Sequence, residues 1–195
     1  VVRDALSDLE HVEFKQVGTL ESFNSDGLRS LIETMPHIQN MKEKTLRYPG
    51  HAEAISILKS AGFFDTNPLM HNNSSFVPLE VTSRILFREW KLEEQEEEIT
   101  VMRVSIRGRD KDGMQKSIVY ELYDAYDAET NTSSMARTTG YTATAAATLF
   151  LEGLFQHKGV FPPELLGKHE NCFRFVLQYL KERGVHYDVK TVTHA

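Results

Sequence analysis

The chain has 195 residues, of which 41% are hydrophobic and 26% charged, an ordinary globular composition that excludes a disordered or low-complexity polypeptide. Its formal net charge of −6 argues against a general role on nucleic acid or on an anionic membrane surface. One cysteine, Cys172, excludes an intrachain disulfide and favours a cytoplasmic setting, and no apolar run approaches the roughly 20 residues that span a bilayer.

In chain order, Val12, Phe14 and Val17 predict a short strand. Ser25 or Asp26 predicts the cap of a helix through Leu28, Leu31 and Ile32 to about Thr34, stopped by Pro36. Lys44-Thr45-Leu46-Arg47-Tyr48-Pro49-Gly50-His51 reads as a basic turn feeding the next helix, whose apolar face is Ala54, Ile55, Leu58 and Ala61 and whose stop is Gly62. Residues 65–77 read as a polar loop. Pro78 opens a helix carrying Val81, Ile85, Leu86 and Trp90, followed by the acidic run 93–98, taken as a solvated connector.

The clearest local signal is a long β-hairpin. Met102, Val104 and Ile106 alternate on the way out, Ile118, Tyr120 and Leu122 on the return, and Asp112-Gly113 supplies the turn. Asp110-Lys111-Asp112-Gly113 lacks the remaining ligands of a calcium loop and is read as that turn alone. A helix is predicted over Thr138–Leu154, another over Asn171–Arg183 with Gly184 as its stop, and a closing strand over Val185–Val192. A hairpin between helical stretches points to an α+β fold with a mixed, largely antiparallel sheet and helices packed on one face. The exposed edge of such a sheet favours a homodimer.

Several chemistries are excluded. There is no G-x-G-x-x-G to cradle a dinucleotide, no phosphate-binding Walker loop, no G-x-S-x-G elbow and no H-E-x-x-H. The 8 histidines are scattered without metal-ligand spacing, so no metal site is expected, and Cys172 sits on an apolar-leaning helix that suits a core residue.

Two basic stretches remain, Lys44–His51 and Ser134–Tyr141. Each sets an arginine beside a helix start, where free N–H groups and a fork-shaped guanidinium can receive a carboxylate. The candidate substrate-binding residues are Lys44, Arg47, Tyr48 and His51 from the first, and Arg137, Thr138 and Thr139 from the second. Two alternatives stay open: Arg47 and Arg137 could pair with acidic side chains, and His51 could act as a general acid or base or simply bond its own helix start.

Four strings carry a resemblance: Val17–Phe23 with Asp26–Leu28, Lys44–His51, Ser134–Tyr141 and Lys158–Glu164. In this order they resemble the C-terminal, substrate-binding and dimerisation domain of the saccharopine dehydrogenase family, which includes saccharopine dehydrogenases and lysine 6-dehydrogenase-like enzymes. The resemblance implies a single domain over 1–195, the second domain of a Rossmann-type dehydrogenase. It implies that a preceding Rossmann domain, absent from this chain, holds NAD or NADP. The parent would move hydride to or from a C–N bond of lysine, saccharopine or a related amino acid. Arg47 in the L-R-Y-x-G string would be the chief carboxylate-binding residue.

Arg137, where fungal-type enzymes have lysine, and His51, where they have a bulkier residue, place the chain nearer the lysine 6-dehydrogenase-like branch. The valine start is consistent with a piece of a longer protein, and the fragment alone is expected to be inactive. The runner-up reading is a stand-alone, non-catalytic binding or scaffold module of the same fold.

Overall fold

The computed structural model describes residues 2–93 and 96–194 and divides into two compact units, Val1–Glu93 and Glu94–Ala195. Every strand pairing among the described residues is antiparallel, and helices and sheets are interleaved, so the fold is α+β.

In the first unit, β1 (Glu10–Phe14) turns through Lys15–Val17 into β2 (Gly18–Asn24), which pairs on its other side with β3 (Lys44–Arg47). Only β1 follows the predicted alternation. β2 buries Leu20, Glu21, Ser22 and Phe23 in succession, and two polar residues inside a buried run hide its strand character. The first half of the stretch predicted as a basic turn, Lys44–Arg47, is instead strand β3, and only Tyr48–Gly50 turns into the next helix.

The first helix, α1 (Leu31–Thr34), is shorter than predicted and starts later. The expected cap is diverted: the Ser25 hydroxyl and the Gly27 N–H both donate to Glu43 Oε2, at 2.6 and 3.0 Å. A Cβ on Gly27 would stand 2.4 Å from Glu43 Cδ, so a larger residue there would push the Glu43 side chain aside and disturb this pair of hydrogen bonds.

Helix α2 (His51–Ser60) ends as predicted, with Gly62 at φ +84°. The expected loop over 65–77 contains a small hairpin, β4 (Leu69–His71) and β5 (Ser74–Phe76). Asn72 and Asn73, at φ 47° and 63°, make the two-residue turn that Asn tolerates best after glycine. Helix α3 (Pro78–Trp90) follows the prediction and is tied back by Thr82 Oγ1 donating 2.8 Å to the Phe63 carbonyl.

The second unit is built on a meander, β6 (Ile99–Arg109), β7 (Gln115–Ala125) and β8 (Tyr187–His194), in spatial order β6-β7-β8. The Asp112-Gly113 turn forms as predicted, with the Asp110 carboxylate accepting the N–H groups of Asp112 and Met114, both at 3.0 Å. Between β7 and β8 lie a π-helical turn (Ala136–Gly140), α4 (Tyr141–Leu151), α5 (Pro163–Gly167) and α6 (Glu170–Lys181).

Two apolar clusters join these elements. Leu122, Leu180 and Val185 close with Tyr141, Val176 and Tyr187, while Leu149, Phe155 and Cys172 close with Phe161, Leu166 and Phe175. Cys172 is a core residue, as its helix face suggested. The acidic run is partly built in: the Glu98 carbonyl accepts the Tyr126 N–H at 2.9 Å, and its carboxylate accepts the Met135 N–H at 3.3 Å. Glu94 and Gln95 lie outside the described residues.

Candidate functional site

The mouth of α2 is assembled from β2, β3 and the first turn of the helix. β3 delivers Arg47 to its end, and Tyr48-Pro49 carries the chain to Gly50, whose φ of +98° only glycine adopts cheaply. Helical N–H groups then point back at the sheet. Glu21, 3% exposed on the central strand, takes them: its carboxylate accepts the Ala52 N–H at 2.5 Å and the Gly50 N–H at 3.0 Å.

Burial pushes the Glu21 carboxyl up. The N–H groups of Ala52 and Gly50, with the nearby imidazoles of His51 and His11, outweigh that and hold it below the usual range. This corrects the sequence expectation for the helix start, since a carboxylate of the protein itself occupies those backbone donors.

The guanidinium is left outward. Arg47 is exposed, donates 2.7 Å to the Leu46 carbonyl, and has no carboxylate partner among the described residues. Tyr48, also exposed, stands beside it.

His51 lies half-buried in an aromatic stack, its ring centre 6.1 Å from Phe23 at an interplanar angle of 7° and 6.2 Å from Trp90. Burial lowers its pKa, the Arg47 charge lowers it further, and Glu21 raises it in part, so the imidazole is neutral at neutral pH. Trp90, 57% exposed, extends this stack to solvent, and sequence reasoning gave it no role at the site.

Lys44 is placed elsewhere. Side chains alternate along a strand, so positions 44 and 47 project to opposite faces of β3. Lys44 Nζ pairs with Glu10 at 2.9 Å and Asp8 at 3.2 Å and also donates to the Asp8 carbonyl. With Lys42 it forms a four-membered ion cluster, which holds the Asp8 and Glu10 carboxyls below their usual values through those hydrogen bonds.

The second basic stretch is closed. Ser134 is fully buried and donates within reach of Thr100 Oγ1 (2.6 Å) and the Asp124 carbonyl (3.1 Å). The Arg137 side chain, 11% exposed, spans Asp124 (Nε to Oδ2, 3.2 Å), Asp127 (Nη1, 3.0 Å) and the Arg183 carbonyl (Nη2, 3.4 Å), and it lies 5.9 Å over the Tyr141 ring. Hydrogen bonding to Asp124 raises its pKa despite burial.

Thr138 Oγ1 turns inward to the Ser134 carbonyl at 2.9 Å, while Thr139 is exposed on the π-helical turn. Of the open alternatives for the two arginines, the ion pair describes Arg137, and the unpaired guanidinium describes Arg47. Neither Glu21 nor Asp124 was legible as a partner, because they stand 31 and 13 residues from the groups they serve.

Comparison with known proteins agrees with this architecture. The family described as Saccharopine dehydrogenase C-terminal domain matches residues 2–185, and the chain belongs to that family. Among solved structures, it is similar to apo saccharopine dehydrogenase (L-Glu forming) from Saccharomyces cerevisiae. The TM-score is 0.71 at 16% sequence identity, and the match covers 97% of this chain and 55% of that one. The chain therefore spans about half the length of that structure. No helix among the described residues is long and apolar enough to cross a membrane.

Proposed function

We propose that this chain is the substrate-binding and dimerisation part of an NAD(P)-dependent oxidoreductase that acts on a C–N bond of lysine, saccharopine or a related amino acid. Family membership supports the class of enzyme. The observation that carries the substrate role is Arg47, an exposed guanidinium with no carboxylate partner among the described residues, at a helix mouth beside the neutral imidazole of His51. A carboxylate of an amino-acid substrate meets the fork of Arg47 in bidentate fashion. Neutral His51 offers a ring nitrogen to a neighbouring N–H donor of the same substrate.

The residues present do not suit a dinucleotide. There is no G-x-G-x-x-G, no described strand pair is parallel, and the α2 mouth is filled by Glu21. We therefore assign the NAD(P) site to a segment outside these residues. Dimerisation is assigned to the second unit. Helices cover one end of a sheet face at Leu122, and beyond it Val104, Ile106 and Val189 stay 41%, 52% and 51% exposed on that same face.

Calorimetry tests the division of labour: NAD or NADP titrated into this chain gives no heat, and micromolar binding overturns it. Light scattering should return twice the mass of one chain, and a monomer removes the dimer. In the enzyme that carries this domain, Arg47→Ala should raise KM about tenfold or more, from the roughly 1.5–3 kcal/mol of a charged hydrogen bond. An unchanged KM would reduce Arg47 to a surface charge.

A further inference from the structure

At the far end of α4 the chain turns at Gly153 (φ +71°) and drives Phe155, 6% exposed, into the cluster with Leu149 and Cys172. Aromatic rings surround Phe155. Phe150 and Phe161 meet it edge-on at 5.5 and 5.4 Å, and His157 and His169 lie 5.0 and 5.5 Å away.

Over this floor lies an open surface depression lined by Gly153, Leu154, Phe155, Gln156, His157 and His169. The two imidazoles are exposed, their centres 6.0 Å apart at an interplanar angle of 36°. Among the described residues no hydrogen bond or ion pair engages their ring nitrogens. The fold thus brings together two of the 8 histidines that the sequence leaves scattered.

We propose that His157 and His169 form a two-imidazole site for a borderline divalent metal ion, Zn²⁺ being the probe, which clasps the 153–157 turn to the start of α6. Imidazole nitrogen is a ligand of choice for Zn²⁺ and Cu²⁺. Bonds of about 2.0–2.1 Å from one metal to two rings set their centres roughly 5 Å apart. The observed separation of 6.0 Å lies about one ångström beyond that, and both side chains are exposed and able to turn.

Both rings pack beside the buried Phe155, which keeps them near one another. His169 is further fixed by its place at the cap of α6, its carbonyl accepting the Phe173 N–H at 3.0 Å. Cys172 is not a ligand, since its thiol is buried and directed at the Leu154 carbonyl at 3.6 Å. No group of three or more His, Cys, Asp or Glu gathers among the described residues, so water or a dissolved carboxylate completes the shell. The site is open and exchangeable rather than a closed structural zinc centre.

The test uses the untagged chain. Titration with ZnCl₂ should give one saturable site and a higher melting temperature as the ion selects the folded state. His157→Ala and His169→Gln should each weaken binding about tenfold or more and abolish the thermal shift, while the metal-free melting temperature stays near that of the parent. Electron paramagnetic resonance of Cu²⁺ on the unsubstituted chain should show two coordinated nitrogens, a readout independent of how the variants fold. Equal affinity in the parent and both variants, or a spectrum with one nitrogen or none, overturns the proposal.

Discussion

The mouth of α2 and the Arg137 cluster each gather an arginine, a buried carboxylate and the backbone of a helix start, yet they share out those charges in opposite ways. At α2 the carboxylate of Glu21 serves backbone N–H groups, and the guanidinium of Arg47 is left to solvent. In the second unit the carboxylates of Asp124 and Asp127 serve the guanidinium itself. The difference shows how an arginine becomes available to a ligand: the acid that could neutralise it is satisfied by something else. A guanidinium with two internal carboxylates is part of the architecture, because a substrate could reach it only by displacing one of them.

The largest expected effect breaks the closed member of this comparison. Arg137→Ala strands Asp124, 5% exposed at its side chain, without its counter-ion, and removes the link from β7 to the Arg183 carbonyl beyond α6. Removing one partner of a buried pair costs about 3–5 kcal/mol, which denaturant unfolding of the second unit should report. Arg47→Ala, followed by denaturant unfolding of the first unit that contains it, should fall within about 0.5 kcal/mol of the parent. Equal losses in the two variants would erase the distinction between clasp and receptor. Gly184 belongs to the clasp as well, because a Cβ there would stand 3.1 Å from Arg137 Nη2 on a backbone at φ +79°.

A smaller effect is expected at Glu21. Glu21→Gln keeps the shape but replaces one acceptor oxygen with an N–H₂ that faces the helix donors, leaving one buried N–H unsatisfied at a cost of about 1–3 kcal/mol. Gly50→Ala should cost less, about 1–2 kcal/mol, from placing a Cβ residue in the left-handed region with open space around it. If Glu21→Gln is neutral in urea unfolding, the carboxylate does not hold the α2 mouth and the openness of Arg47 needs another cause.

Legibility in the sequence followed the range of the interactions. The β6–β7 hairpin, α3 and α6 declare themselves because alternation, Pro78 and the spacing of Phe173, Val176 and Leu180 are local. The Asn72-Asn73 turn was equally local and went unread among polar neighbours. β2 and β3 were hidden for a different reason. Glu21 and Ser22 are buried polar residues made tolerable by partners far along the chain, and the charges of β3 masked its extended backbone. The site divides in the same way: Arg47 and His51 were visible as residues, but which arginine was free depended on carboxylates that only the fold brings near.

The smallest effect is also the most specific to the α2 mouth. The folded His51 imidazole titrates below its ordinary 6.5, because burial and then Arg47 disfavour the cation more than Glu21 favours it. The fold therefore prefers the neutral ring. Its stabilising contribution is present above the unfolded value and is lost as pH falls through the folded one. Two substitutions should move this titration in opposite directions when followed by NMR of the ring. Arg47→Ala removes a repelling charge and should raise the pKa, though burial still exceeds the pull of Glu21 and keeps it under 6.5. Glu21→Gln removes the attracting charge and should lower it. Shifts of the same sign would mean that the ring senses a change of fold rather than these two charges, and the neutral imidazole beside a free guanidinium would lose its physical basis.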